Sequence, residues 1–369
     1  MRCNLIIQAR TAVIQGALRE NIWVEVEENV IVSIHEGNSV HVDRHVEGVL
    51  IPGFIDIHCH GGGGNYFSAT SDEEIRNVIN THRVHGTTTI FASLVTEPLD
   101  ELKNQIGRLV PFAQRGDIAG IHLEGPYLAH SRCGAHDPTL LRTPRLSEFE
   151  ELVSAGQGFI KMVTIAPELE GAIGAIEYLV ANKIIAAIGH SAADYDLALR
   201  GVEAGATVIT HFPNAVSKLD DSGHTLAQLA MSDSRLTLEL ILDGNHVKNE
   251  EVSRIYNQAS ARIALITDAM AAAGSSDGHY LVGALPVTVE DSVARLDSNG
   301  ALAGSTLTMD SAFFNMMTDH GYSLPEAVAA SSTIAARTAG LHDRGELSVG
   351  KRADLLEVNL ADRLVSIIE

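Results

Sequence analysis

The sequence predicts an α/β protein, a (β/α)8 TIM barrel over residues 51–342, with a small β-sandwich domain built jointly from residues 1–50 and 343–369. Three observations carry this. Hydrophobic residues make up 45% of the 369 but aromatic ones only 5%, so the interior is aliphatic, as α/β cores are. Eight short aliphatic runs rich in β-branched residues alternate with stretches of helical character. Both ends of the chain read as strand and turn, with no helix.

The elements follow in order. Residues 5–8, 21–26 and 30–34 are short strand-like segments. The eight aliphatic runs are 50–58, 87–94, 118–124, 159–166, 184–190, 207–211, 236–243 and 263–268. Each is almost continuously apolar, the pattern of parallel strands covered on both faces. Helices are expected at 71–85, 170–182 and 195–204, and the first opens with a capping box, Ser71-Asp72-Glu73-Glu74. Eight alternating units suit a closed barrel better than an open doubly wound sheet, whose strands cluster in groups of five or six. Residues 345–347 and 350–358 return to turn and strand, and can pair with the N-terminal segments because the ends of a domain often lie close together.

Composition excludes several functions. With 47 acidic and 26 basic residues the net charge is −21, which argues against nucleic acid or an anionic membrane as partner. No apolar run approaches the roughly 18 residues that span a bilayer. Three scattered cysteines, Cys3, Cys59 and Cys133, do not make a disulfide framework, and residues 3–8 are too short and polar for a secretory segment. A cytoplasmic protein is expected.

The 17 histidines stand out in so acidic a chain. Barrel chemistry gathers at the C-terminal ends of the strands. There the sequence places His58-Cys59-His60, His122-Leu123-Glu124, Gly189-His190, Thr210-His211, Asp243-Gly244-Asn245-His246 and Thr267-Asp268. Histidines two apart on a strand face the same way, so His58 and His60 can share one ion while Cys59 points elsewhere. A single histidine in an apolar strand is usually a hydrogen-bonded core residue, and an aspartate at a strand end is often a helix cap. Six strand ends carrying such groups are not explained that way. Imidazole and carboxylate donors without thiolate suit Zn²⁺, with Fe²⁺, Co²⁺ or Mn²⁺ as alternatives.

Pro52-Gly53-Phe54-Ile55-Asp56-Ile57-His58-Cys59-His60 resembles the opening signature of the amidohydrolase superfamily. With His122-Leu123-Glu124-Gly125-Pro126-Tyr127, Gly134-Ala135-His136-Asp137-Pro138, Thr210-His211-Phe212-Pro213-Asn214-Ala215, Asp243-Gly244-Asn245-His246-Val247 and 302–309, the chain resembles the N-acetylglucosamine-6-phosphate deacetylase family over nearly its whole length. The resemblance implies a homodimeric hydrolase of a linear amide bond, which removes the acetyl group of an N-acetyl amino sugar in amino-sugar catabolism. It implies that Glu124, His190 and His211 hold the principal metal, and that His58 and His60 hold a second with Glu124 bridging. Asp268 would be the general base and acid, and His246 would bind the substrate carbonyl. Ala135, His136, Asn214, Ala215, Leu302, Ala303 and Gly304 would contact the sugar or its phosphate.

Lys161 is the candidate for the carbamylated lysine that many superfamily members place on strand four. At about 3.3 Å per residue it lies too far from the strand's end, and Glu124 is the better bridge. Cys133 reads as a small loop residue. One departure stands out: the family's arginine, about eight residues after the Asn-Ala pair, is missing here, where the chain reads Ser217-Lys218-Leu219-Asp220-Asp221-Ser222-Gly223-His224. Lys218 and His224 are the candidates to replace it, and a non-phosphorylated N-acetylhexosamine or another N-acyl compound is the alternative substrate. A dipeptidase, a cyclic-amide hydrolase and a non-catalytic metal-binding barrel are the other readings; the sugar-loop motifs speak against the first two and the complete ligand set against the third.

Overall fold

The computed structural model describes residues 4–217 and 223–368. Eight parallel strands stand side by side in chain order: Phe54–Cys59, Thr87–Leu94, Gly120–Glu124, Ile160–Ile165, Ile185–Ile188, Val208–Ile209, Thr237–Leu240 and Ile263–Leu265. The barrel closes by backbone bonds between the first strand and the residues just past the eighth. The Asp268 N–H donates to the His58 carbonyl at 2.9 Å, and the His60 N–H to the Ala269 carbonyl at 2.9 Å. Every residue of Phe54–Cys59 is buried, as the near-continuous apolar run requires of a strand covered on both sides.

Helices pack outside the strands. Asp72–Val84 begins at Ser71, whose hydroxyl accepts the Glu74 N–H while the Glu74 carboxylate accepts the Ser71 N–H, the expected capping box. Its Ile75 and Val78 face the core, and its acidic first turn lies at the positive end of the helix dipole. The other two expected helices are Ala172–Ala181 and Tyr195–Glu203, the latter capped by the Asp194 side chain.

The chain ends form a separate six-stranded sheet, ordered Leu364–Ile368, Leu355–Asn359, Arg44–Pro52, Asn4–Ile14, Ala17–Glu27 and Val30–Glu36. It has its own apolar cluster, with Ile7, Ile22, Val24, Ile31, Leu50 and Leu355 buried. The first expected barrel strand is thereby corrected: residues 50–52 belong to this sheet, with Pro52 opposite Leu355, and the chain changes sheets at Gly53. A Cβ there would stand 2.1 Å from the Thr88 hydroxyl, so only glycine lets the two strands approach at the crossing.

After the eighth strand the chain adds a small antiparallel sheet, Gly278–Val282, Leu285–Glu290 and Val293–Leu296, before the helix Met309–Thr318. Val287, Val289 and Leu296 pack with Met270 and Ala303 beneath it, which brings Val282 and the 302–304 loop to the barrel mouth. Among the described residues, no helix is long and apolar enough to cross a membrane.

Candidate active site

The strand ends converge on Glu124, the last residue of the third strand. Its two oxygens divide the histidines between them. Oε1 lies 2.9 Å from His211 Nε2 and 3.2 Å from His190 Nε2, while Oε2 lies 3.1 Å from His60 Nε2 and 3.6 Å from His58 Nε2. Within each pair the ring nitrogens nearly touch, at 2.9 Å for His190 and His211 and 3.0 Å for His58 and His60. All five expected ligands are thus brought together, buried, in two groups that share one carboxylate.

The donor chemistry fits a cation. His190 Nδ1 lies 2.7 Å from the Arg132 carbonyl, which can only accept, so that nitrogen carries the proton and Nε2 presents a lone pair. His58 Nδ1 lies 3.0 Å from Glu239 Oε2, with the same consequence. Lone pairs facing a carboxylate repel unless positive charge, carried by a proton or a metal cation, stands between them. The electrostatics agree: burial disfavours a charged His58, yet Glu124, Asp268 and Glu239 pull it well above the usual imidazole range. Burial likewise pushes Glu124 up, but the charge on His58 and the facing imidazoles of His136, His190 and His211 hold it well below the carboxylate range. The cluster demands positive charge.

Asp268 stands over the first pair, with Oδ1 3.3 Å from His60 Nε2 and 3.5 Å from His58 Nε2, and its side chain is 12% exposed, open to the cavity. Burial raises its carboxyl, but His58 and His60 outweigh this and keep it ionised. His190, His211, Ala215 and Asp268 all have positive φ, between 32° and 52°, although none is glycine. Such backbone costs of order 1–3 kcal/mol per residue and is kept where surrounding structure fixes it, typically at functional sites.

The mouth encloses a cavity of about 330 Å³, and Ala135, His136, Asn214, Ala215, His246 and the 302–304 loop all line it. His136 Nδ1 is 2.9 Å from Thr96 Oγ1 and its Nε2 3.5 Å from Glu124; burial pushes its imidazole down to about 4. Burial also opposes charge on His246, but Asp243 Oδ2, 2.7 Å from its Nδ1, prevails and raises it, leaving Nε2 toward the cavity.

Other sequence expectations resolve as follows. Cys59 points away from the ligands, its Sγ 3.1 Å from His82 Nε2. His122 is a satisfied core histidine, between Ser93 Oγ and Thr164 Oγ1 at 2.9 Å each. Lys161 Nζ donates to the Gly158 carbonyl at 2.9 Å, near the start of its strand and away from the ligands. Cys133 is partly exposed in the loop that carries Arg132. Lys218 lies outside the described residues. His224 is not among the cavity-lining residues: its Nε2 is 3.2 Å from Asp196 and its ring stacks on Tyr195. The exposed Asp196 draws it to the surface.

Glu239 and Arg132 escaped the sequence reading, and Asp243 stood in its strand-end motif without a role. Glu239 and Asp243 hold His58 and His246, and Arg132 lines the cavity, the only Lys or Arg among the described residues that does. A lone carboxylate inside the aliphatic run 236–242 was the available signal for Glu239.

Fold and site together define a metal-dependent hydrolase that acts on an amide bond. The amidohydrolase family model matches residues 49–368. An N-acetylgalactosamine-6-phosphate deacetylase of Escherichia coli O157:H7 is 32% identical, over 96% of this chain and 95% of the relative. The N-acetylglucosamine-6-phosphate deacetylase of Bacillus subtilis (strain 168) is 31% identical, over 96% and 93%. A mutant N-acetyl-D-glucosamine-6-phosphate deacetylase from Mycobacterium smegmatis, solved with N-acetyl-D-glucosamine-6-phosphate, superposes with a TM-score of 0.95 at 38% identity, covering 99% of this chain and 98% of the other. The chain belongs to the amidohydrolase family and, within it, to the N-acetylglucosamine-6-phosphate deacetylase family.

Proposed function

We propose that the chain hydrolyses the acetamide of N-acetylglucosamine 6-phosphate, releasing acetate and the amino sugar. The observation that supports this most is the position of Asp268, ionised beside the imidazole–carboxylate cluster and open to a cavity lined by the sugar-loop residues.

Glu124, His190 and His211 would hold one ion, and His58 and His60 a second with Glu124 shared; Zn²⁺ fits a donor set of imidazoles and carboxylate without thiolate. Such an ion, when bound, lowers the pKa of water from about 15.7 toward 7 and polarises the acetyl oxygen. Asp268 takes a proton from the attacking water as its oxygen bonds to the acetyl carbon. The same carboxyl group then gives that proton to the sugar nitrogen as the C–N bond breaks, so the amine leaves neutral. His246, held by Asp243, offers Nε2 to the substrate carbonyl, and His136, Asn214, Ala215 and the 302–304 loop orient the sugar.

Arg132 supports the phosphate. An acidic chain that takes a phosphomonoester needs positive charge in its site, and a guanidinium can meet phosphate with two N–H donors. Arg132 then supplies charge that the missing loop arginine does not. We place the enzyme in the cytoplasm as a homodimer, on the resemblance and the cysteine usage.

The test is acetate release from N-acetylglucosamine with and without the 6-phosphate, and from the C4 epimer N-acetylgalactosamine 6-phosphate. A kcat/KM at least about 10³-fold higher with the phosphate, the scale of two charge-assisted contacts, is expected. Equal rates on the uncharged sugar would replace the reading with the non-phosphorylated N-acetylhexosamine, and no acetate from any sugar would reject it.

A further inference from the structure

The seventh barrel strand carries Glu239, a fully buried carboxylate, between Leu238 and Leu240. Ionisable groups are rarely buried without a specific partner. Both of its contacts run from one oxygen. Oε2 faces His58 Nδ1 at 3.0 Å and accepts the His211 backbone N–H at 3.2 Å, while Oε1 is buried with no hydrogen-bond partner. The two contacts reach different halves of the cluster, since His58 is paired with His60, and His211 with His190. At His211 the held amide belongs to a residue at φ 32°, a backbone that needs an outside constraint.

We propose that Glu239 is a positioning residue that couples the two halves of the metal cluster. Through His58 it holds the Nδ1–H, so that Nε2 is the nitrogen left to meet an ion beside Glu124. Through the His211 amide it holds the strained turn that aims the other ring at the opposite oxygen of Glu124. A carboxylate behind a ligating imidazole strengthens the donor, and loss of such support costs about 10- to 100-fold in metal affinity. Here one carboxylate serves two ligands on two different strand ends. The inference rests on the metal-dependent reading above.

The experiment is Co²⁺ titration of the full-length chain after removal of metal, followed by calorimetry and by visible absorption, without substrate. Glu239→Ala is expected to weaken Co²⁺ binding about 10- to 100-fold. Glu239→Gln, which can keep the carbonyl acceptor but loses the charge, should fall between it and wild type, and serves alone if the alanine variant does not fold. In a His58→Ala background, Glu239→Ala should still weaken binding, through the His211 route. Co²⁺ affinity within twofold of wild type for the glutamate variants overturns the proposal, as does an effect that vanishes once His58 is gone. Failure of wild-type chain to bind Co²⁺ would instead overturn the metal-dependent reading.

Discussion

Asp243 and His246 are locked together twice: Asp243 Oδ2 lies 2.7 Å from His246 Nδ1, and Oδ1 accepts the His246 backbone N–H at 2.9 Å. The carboxylate thereby sets the ring's orientation and favours its protonated form, whose Nε2–H can donate to a carbonyl oxygen. An asparagine has one acceptor for two donors and would turn an N–H toward one of them. Asp243→Asn is expected to lower kcat/KM about 10²-fold, the lower end of acid–base effects, with metal content unchanged. Steady-state kinetics beside elemental analysis checks it; a parallel loss of metal would mean that Asp243 supports the cluster instead.

Asp268→Asn removes the proton acceptor while keeping the shape. Turnover is expected to drop by about 10²- to 10⁴-fold. Single-turnover acetate release separates this from slow product release, and near-wild-type rates would remove Asp268 as the base.

Arg132→Ala should raise KM for the 6-phosphate substrate by about tenfold or more and leave the unphosphorylated sugar untouched, since a charge-assisted contact is worth about 1.5–3 kcal/mol. Its backbone carbonyl, which holds His190, survives the change. Equal effects on both substrates would assign Arg132 to loop structure.

His82 predicts an acid-labile fold. Its ring is fully buried, and burial pushes the imidazole down to about 4, against about 6.5 in the unfolded chain. Between those values the unfolded state binds the extra proton and the folded state does not. Stability therefore falls as pH drops from 6.5 to 4, by up to about 3 kcal/mol. Urea unfolding of the metal-free chain across this range should show the slope, and His82→Gln should lessen it, buried His136 contributing with the same sign.

The eight strands and the groups at six of their ends were legible because both depend on local pattern: aliphatic runs for the barrel, and a histidine, glutamate or aspartate where those six runs stop. The Gly53 crossing was not, since its reason is the Thr88 side chain on the neighbouring strand. Glu239 was missed because its meaning lies 181 residues away at His58, and no local rule separates a buried positioning carboxylate from a misplaced charge. Arg132 gives no signal in sequence, since an arginine in a polar loop is ordinary until the loop folds over the cavity. The 278–296 sheet was passed over because its short strands, partly exposed, lack the uninterrupted apolar run used to count the barrel.

The barrel's closing seam runs through Asp268 and His58, with Thr267 donating to Asp56 across 211 residues of sequence. The proton carrier and its neighbouring ligands therefore meet only when the first and last strands join. A chain cut short on the ribosome, or stalled before its eighth strand docks, holds every ligand histidine yet lacks the residue that moves the proton. Amide hydrolysis is thereby tied to closure of the ring.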